Sequence, residues 1–476
     1  FVSFSPPHAV TLDLKCPTVV LFAWEFSTIP DGSWENAGPR DDWRFVLAKL
    51  GFAISLSSHT ARVVKAAMGA DFPIFAIAAP IWDRLPRQSP HSAAEAVTTG
   101  CEIRIRGSVI DSADYELSPE QVLAPIFPPP PIKEEIAIEP ESVEPPPIQA
   151  EPAASPAHVL PHRPGIRYRL AVTKRHLLEW YREALRDLMP RAVARAISRT
   201  GGTSETIYRR MTGWKPPPPP PPPPPIPELT VRLSGIVYTA VLNPTDGRKN
   251  WHDILTAFCW AFRDVEDATL VLKMVKGDPH SYRRDLFLIL ARLAPFKCRV
   301  VAMDGFLEEA EYSRLLGATS YYVNASNAEG LCLPLMEFMC AGKPVIAPRH
   351  TAMEDYIDDR AAFILKSTAE HNVWPHDPRH LYTTMRYTLQ WDTLVVAYEQ
   401  SYRTAKEQPQ IYVEMGRSAV DIMRRYCSDS VVKEQLRIAF GRIVGSAAQP
   451  FVTEADKATL SADDASNKSR QMAESA

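Results

Sequence analysis

Paired cysteines, long apolar runs and an excess of either charge are all missing from this sequence, and each absence removes a class of protein. The seven cysteines are scattered, with no Cys-x-x-Cys pair. Neither a disulfide framework nor a zinc cluster is indicated, and a reducing compartment is the simplest setting. No apolar run approaches the roughly 20 residues that span a bilayer, and no secretory signal is visible. The expectation is a cytoplasmic protein whose only membrane contact would be peripheral, at the inner face. With 53 Lys and Arg against 56 Asp and Glu the net charge is -3, which argues against a general nucleic-acid partner. Asp-x-Asp pairs are absent. Ala341-Gly342-Lys343-Pro344 lacks the upstream glycine and the following Ser or Thr of a phosphate loop. His371, His376, Asp377 and His380 have no familiar metal-site spacing, so neither a metal nor a cofactor is expected.

What is abundant is proline, 45 residues against only 20 glycines. Most of it falls within 125–228, in the stretch 128–131, the acidic segment 133–152 and the unbroken run 216–225. Such segments favour an extended, solvated chain and hold too few large apolar residues to offset their ordering entropy. The run is either a spacer or a ligand for an SH3-like or profilin-like partner. Within this insert, the spacing predicts a helix over 174–189 with Leu177, Tyr181, Leu185 and Leu188 on one stripe and Arg175, Arg182 and Arg186 largely elsewhere. That helix suits docking on its own protein or an anionic membrane surface. Residues 446–476, small and polar, are expected to form a disordered tail.

The remaining chain, with 45% hydrophobic and 23% charged residues overall, reads as ordinary α/β protein. Residues 1–124 form a first piece, with strands expected at 18–24 and 52–56, helices at 41–50 and 60–68, and an apolar run at 72–79. Residues 229–445 alternate strands (235–242, 268–274, 299–303) with helices (251–262, 282–293, 308–316). This is the pattern of a doubly wound parallel sheet, in which ligands collect outside the carboxyl ends of the strands.

One stretch there carries most of the chemical information. Residues 319–325 are rich in β-formers, and the chain then turns at Glu329-Gly330. Leu333-Pro334 opens a helix expected over 333–340, since proline is tolerated in a first helical turn, and Gly342 ends it. The free N–H groups of such a helix favour an anion. Glu329 sits in the loop and Glu337 about one turn into the helix, so one carboxylate can meet a ligand beside a phosphate site while the other accepts bonds from a polyol. Arg248 and Lys249 follow strand 235–242 and reach the same crevice, or form a solvated pair in a polar turn. His59 follows strand 52–56 and is either a crevice residue or a structural histidine.

At Glu329 and Glu337, separated by seven residues, the chain resembles the retaining GT-B glycosyltransferases, most closely glycosyltransferase family four. The resemblance extends to Leu333-Pro334, to Asp246-Gly247-Arg248-Lys249-Asn250 and to Ala341-Gly342-Lys343-Pro344-Val345-Ile346. Cys332 stands where many members carry glycine. The likeness covers roughly residues 229–440 and, more faintly, 22–85. It implies a nucleotide-sugar donor domain at 229–445 and a partial Rossmann-like acceptor domain at 1–124, the first strands and glycine-rich loop of which are not expected in this chain. It further implies that Lys249 and Arg248 contact the diphosphate of a nucleotide-sugar substrate. Glu337 would bind its ribose, Glu329 the transferred sugar, and Gly330, Leu333 and Pro334 would shape the turn between. The activity implied is hexose transfer with retention to a glycan or lipid-linked acceptor, in polysaccharide assembly. The alternative is a non-catalytic nucleotide-sugar-binding scaffold that uses its proline-rich insert for partners.

Overall fold

The computed structural model describes residues 1–31, 39–85, 100–118, 228–275, 279–374 and 382–446. The proline-rich insert up to residue 227, its expected basic helix, and the tail from 447 onward lie outside the described residues, as do His376, Asp377 and His380. No described helix is long and apolar enough to cross a membrane.

The first sheet is parallel and small. It comprises β1 (Val2–Phe4), β2 (Val19–Phe22), β3 (Ala53–Ser55) and β4 (Ile74–Ala76), in that spatial order among the described residues. Between them run α1 (Trp43–Leu50) and α2 (Ser58–Met68). Asp42 caps α1 by accepting from the Arg44 N–H, and Gly51 ends it with φ of 76°, where a side chain would be strained. Ser57 caps α2. Alternation along β2 sends Val20 and Phe22 into a core with Trp43, Leu47 and Val64, and Val19 to the opposite face. Strand β1 was not expected from the sequence.

Strand β5 (Cys101–Asp111), not expected from the sequence, pairs antiparallel with β6 (Glu228–Leu233) and with β9 (Arg299–Phe306), at the edge of the second sheet. Its pattern explains the placement: Ile103 and Ile105 are buried in the larger core, while Arg104 reaches Glu311 across the surface. Gly107 and Gly305 face each other in this ladder. A Cβ on Gly107 would lie 2.0 Å from the Asp304 carbonyl oxygen, so only glycine permits this approach.

The rest of the sheet follows the expected alternation. In chain order come β7 (Ile236–Leu242), α3 (Trp251–Ala261), β8 (Ala268–Met274), α4 (Pro279–Leu293), β9, α5 (Glu309–Ala318), β10 (Tyr321–Val323), α6 (Leu333–Cys340), β11 (Val345–Pro348) and β12 (Ala362–Leu365). A hairpin, β13 (Ser367–Val373) and β14 (Thr383–Leu389), precedes α7 (Trp391–Glu407), α8 (Pro409–Cys427) and α9 (Asp429–Ser446). The spatial order is β12-β11-β10-β7-β8-β9-β5-β6. From β7 the chain builds outward through β8 and β9, then returns to the other side of β7 to lay down β10. The gap between the carboxyl ends of β7 and β10 is therefore the topological switch point, where such sheets open a crevice.

Both faces of this sheet are covered, as its near-continuous apolar strands require. Tyr238 on β7 packs with Phe258, Phe262, Tyr321 and Tyr398 on one side. Val237 faces the opposite core with Phe338 and Leu335 of α6. Helix α9 returns to the first sheet, where Val432, Ala439 and Ile443 cover Val19, Phe52 and Ile54. The α/β class holds, with two parallel Rossmann-like sheets, the larger one extended by an antiparallel edge.

Candidate functional site

The loop after β7 is shaped by its own backbone. Asp246 accepts from the Arg248 N–H at 3.3 Å, and the Lys249 N–H donates to the Asp246 carbonyl at 2.9 Å. This single turn, Gly247–Lys249, is followed by Asn250 in the left-handed region with φ of 50°. Asparagine tolerates that conformation better than most residues. The loop after β10 is stitched to it, because the Asn327 N–H donates to the Arg248 carbonyl at 2.8 Å. Glu329 is fixed in turn by Thr351, whose hydroxyl accepts its N–H at 3.0 Å.

These two loops bring Arg248, Lys249 and Glu329 together at the switch point. Lys249 Nζ lies 2.5 Å from Glu329 Oε1, and Arg248 Nη1 lies 3.2 Å from Oε2. The same Arg248 nitrogen donates to the Ala328 carbonyl at 2.9 Å. Its Nε is 3.0 Å from Asp246 and 3.6 Å from Glu25 of the N-terminal segment. Glu329 is only 3% exposed. Burial pushes its carboxyl upward, but the charges of Lys249 and Arg248 outweigh burial and hold it below the ordinary carboxylate range. Burial opposes the charge on Arg248, and Glu329, Glu25 and Asp246 more than restore it.

Gly330 follows directly, and a Cβ there would meet Ala23 Cβ and the Trp24 nitrogen, each at 3.3 Å. The N-terminal segment thus closes over the turn. Cys332 precedes α6 with φ of 63°, a region glycine enters freely and other residues rarely. Its thiol accepts from Asn324 Nδ2 at 2.8 Å. Leu333 is exposed and Pro334 half-buried in the first turn of α6. The recess between Lys249, Glu329, Asn324 and Pro334 is narrow, ≈ 20 Å³. The Lys249–Glu329 ion pair closes it.

Glu337 does not join Glu329. It lies half-buried one turn into α6, where its Oε2 accepts from the Tyr312 hydroxyl at 2.5 Å. Burial raises the Glu337 carboxyl, and the tyrosine bond only partly offsets that. Tyr312 was not foreseen from the sequence, since its position on α5 gives no local sign that it meets α6.

His350 was missed as well, although it follows β11 at the same carboxyl edge. It is buried, stacks on Tyr387 with ring centroids 4.3 Å apart, and leaves Nε2 without a hydrogen-bond partner. Burial, partly opposed by Glu329, pushes its imidazole down from 6.5 to about 4. The depressed value means the neutral ring stabilises the fold fully above pH 6.5, and this contribution is lost as pH falls through about 4. The difference in stability between wild type and His350→Phe should therefore shift by about 3 kcal/mol between pH 7 and pH 4. Denaturant midpoints across that range measure it; parallel pH profiles would refute a buried neutral histidine. His59 is also buried with Nε2 unpartnered, and burial and Arg62 lower it.

The remaining sequence candidates lie elsewhere. His371 is exposed on β13. No group of three or more His, Cys, Asp or Glu suited to a metal ion occurs among the described residues. Lys343 is buried and donates to the Gly317 carbonyl at 3.0 Å.

No protein-family model matches this sequence, and no curated protein does. Similar solved structures include Anabaena HepE in complex with UDP and glucose, at 15% identity and TM-score 0.32 over 44% of this chain and 48% of that one. The pneumococcal O-GlcNAc transferase GtfA in complex with UDP and GlcNAc is similar at 15% identity and TM-score 0.30, over 44% and 37%. Sucrose-phosphate synthase from Thermosynechococcus elongatus shares 10% identity at TM-score 0.41, over 91% and 69%. The matched region spans less than half of the HepE and GtfA chains.

Proposed function

We propose that this protein is a nucleotide-sugar-dependent glycosyltransferase of the GT-B, family-four type. It would transfer a hexose with retention to a glycan or lipid-linked acceptor. The observation that carries this reading is the convergence of Arg248, Lys249 and Glu329 at the switch point between β7 and β10. In the proposed reaction Lys249 and Arg248 stabilise charge on the departing diphosphate. Glu329 holds the transferred sugar, and Glu337, released from Tyr312, accepts bonds from the ribose hydroxyls. Gly330, Leu333 and Pro334 carry the turn against the phosphates. The acceptor oxygen bonds to the anomeric carbon on the face from which the diphosphate leaves, and its proton passes to the departing phosphate oxygen. A cytoplasmic site at the inner membrane face would suit a lipid-linked acceptor.

A second reading, a non-catalytic binding protein that recruits partners through its insert, is favoured by one feature. The ≈ 20 Å³ recess is closed by the Lys249–Glu329 pair. Thermal unfolding with UDP, GDP, ADP and their sugar conjugates separates the two from a protein that binds neither. Native-state binding should raise Tm with ligand concentration for one base. Glu337→Ala should weaken that nucleotide by about 1.5–3 kcal/mol through loss of a charged hydrogen bond. Unchanged affinity would remove Glu337 from the site. Binding without turnover on any acceptor would select the second reading.

A further inference from the structure

The hairpin β13–β14 has no part in the donor reading, yet it reaches across to the N-terminal segment. The Ser27 N–H donates to Thr384 Oγ1 at 3.0 Å, and the Met385 N–H donates back to Ser27 Oγ at 2.7 Å. The Thr28 hydroxyl donates to the Thr383 carbonyl at 2.8 Å. Beside these bonds Trp24 and Phe26 pack on Trp374, with centroids 5.1 and 5.6 Å apart. Between this clasp and the loop after β7 lies a cavity of ≈ 610 Å³, within the roughly 300–1,000 Å³ typical of small-ligand sites.

Its lining is distinctive in charge. Only three lining residues carry charge, and each already has a partner: Arg248 with Asp246 at 3.0 Å, and Arg386 with Glu370 at 3.1 Å. The uncharged polar lining is Asn243, Thr245, Asn327, Asn372 and Thr384, with Phe26, Ala328 and Val373 as apolar surface. Asn243 Oδ1 already accepts from Thr245, and Thr384 Oγ1 from the Ser27 N–H, so Asn327 and Asn372 carry most of the recognition. Asn327 Oδ1 is buried without a partner. Away from Arg248, which the proposed reaction engages with the diphosphate, such a surface offers donors and acceptors but no unpaired charge, so it matches a hydroxyl-rich neutral ligand. The cavity also adjoins the chemistry, because Arg248 lines it and touches Glu329 at 3.2 Å.

We propose that this cavity binds a neutral carbohydrate as the acceptor, with hairpin β13–β14 supplying one wall and setting acceptor specificity. The proposal rests on the transferase reading for the word acceptor, but not for binding itself. Saturation-transfer NMR on the full chain tests it, using methyl α-glucopyranoside, methyl α-mannopyranoside, N-acetylglucosamine and lactose as neutral probes, with glucuronate and glucose 6-phosphate as charged ones. At least one neutral probe should bind, the charged ones should not, and Asn372→Leu should cut the signal at least fivefold at unchanged Tm. Asn327→Ala, again at unchanged Tm, should do the same from the loop after β10. Binding that survives both substitutions, preference for the charged probes, or no neutral binding by a protein that still binds nucleotide would overturn the proposal. Neutral binding by a protein that binds no nucleotide would support the cavity and remove the donor reading instead.

Discussion

Glu329→Ala is expected to destabilise the protein by about 3 kcal/mol, because removing one partner of a buried ion pair leaves the other charge uncompensated. The carboxylate is 3% exposed and meets both Lys249 and Arg248. Arg248 keeps Asp246 and Glu25, whereas Lys249 has no second carboxylate within ion-pair distance among the described residues, so the loss falls mainly on Lys249. That assigns the cost to one pair and makes it testable by a double-mutant cycle. Lys249→Met on the Glu329→Ala background should recover part of the lost stability, since it removes the stranded charge. Additive losses would show that the pair is not coupled. The folded carboxyl is held below its ordinary 4.5, so its contribution is present above that value and disappears as pH falls through the folded one. Glu329→Gln keeps the shape and much of the hydrogen bonding; a stable but inactive Glu329→Gln would separate the chemical role from the structural one.

The local features of this site were legible in the sequence because they depend on neighbours in the chain. Helix α6 spans Leu333–Cys340 as Pro334 and Gly342 require, and β8 runs Ala268–Met274 as its apolar run indicates. The strands that place Lys249 and Glu329 could be read the same way, and the switch point follows once their order is known. Three things depended on distant residues and were not legible. Strand β5 was not expected, and its place in the second sheet depended on the Gly107–Gly305 approach and the Arg104–Glu311 pair. Tyr312 and Glu337 meet only after α5 and α6 pack. The hairpin β13–β14, with His371 and Asn372 on one strand and Arg386 on the other, gains its meaning from Ser27, some 357 residues away along the chain. Residue types pointed to Arg248, Lys249, Glu329 and Glu337 as candidates. The wall opposite them emerged only from the fold.

Lys343, the lysine of the phosphate-loop-like stretch, affects stability in the opposite direction from Glu329. Lys343 is 1% exposed, donates only to the Gly317 carbonyl, and has no carboxylate within ion-pair distance among the described residues. Burial alone pushes its ammonium down from 10.5 to about 8. Below about pH 8 both folded and unfolded states hold the proton, and the fold bears the whole cost of a buried charge. As pH rises from 8 to 10.5 the folded state gives up its proton first, so stability increases across that window. The cost at pH 7 is about 3 kcal/mol on this argument. Replacing the side chain with an apolar one of similar length forfeits one hydrogen bond, about 1 kcal/mol, and methionine adapts to the same space. Lys343→Met is therefore expected to stabilise the protein by about 2 kcal/mol at pH 7, and that advantage should shrink between pH 8 and 10.5. Denaturant midpoints for both proteins across this range decide it. A destabilised variant at pH 7, or an advantage that stays constant with pH, would mean that Lys343 is not a charge held in the core at a cost.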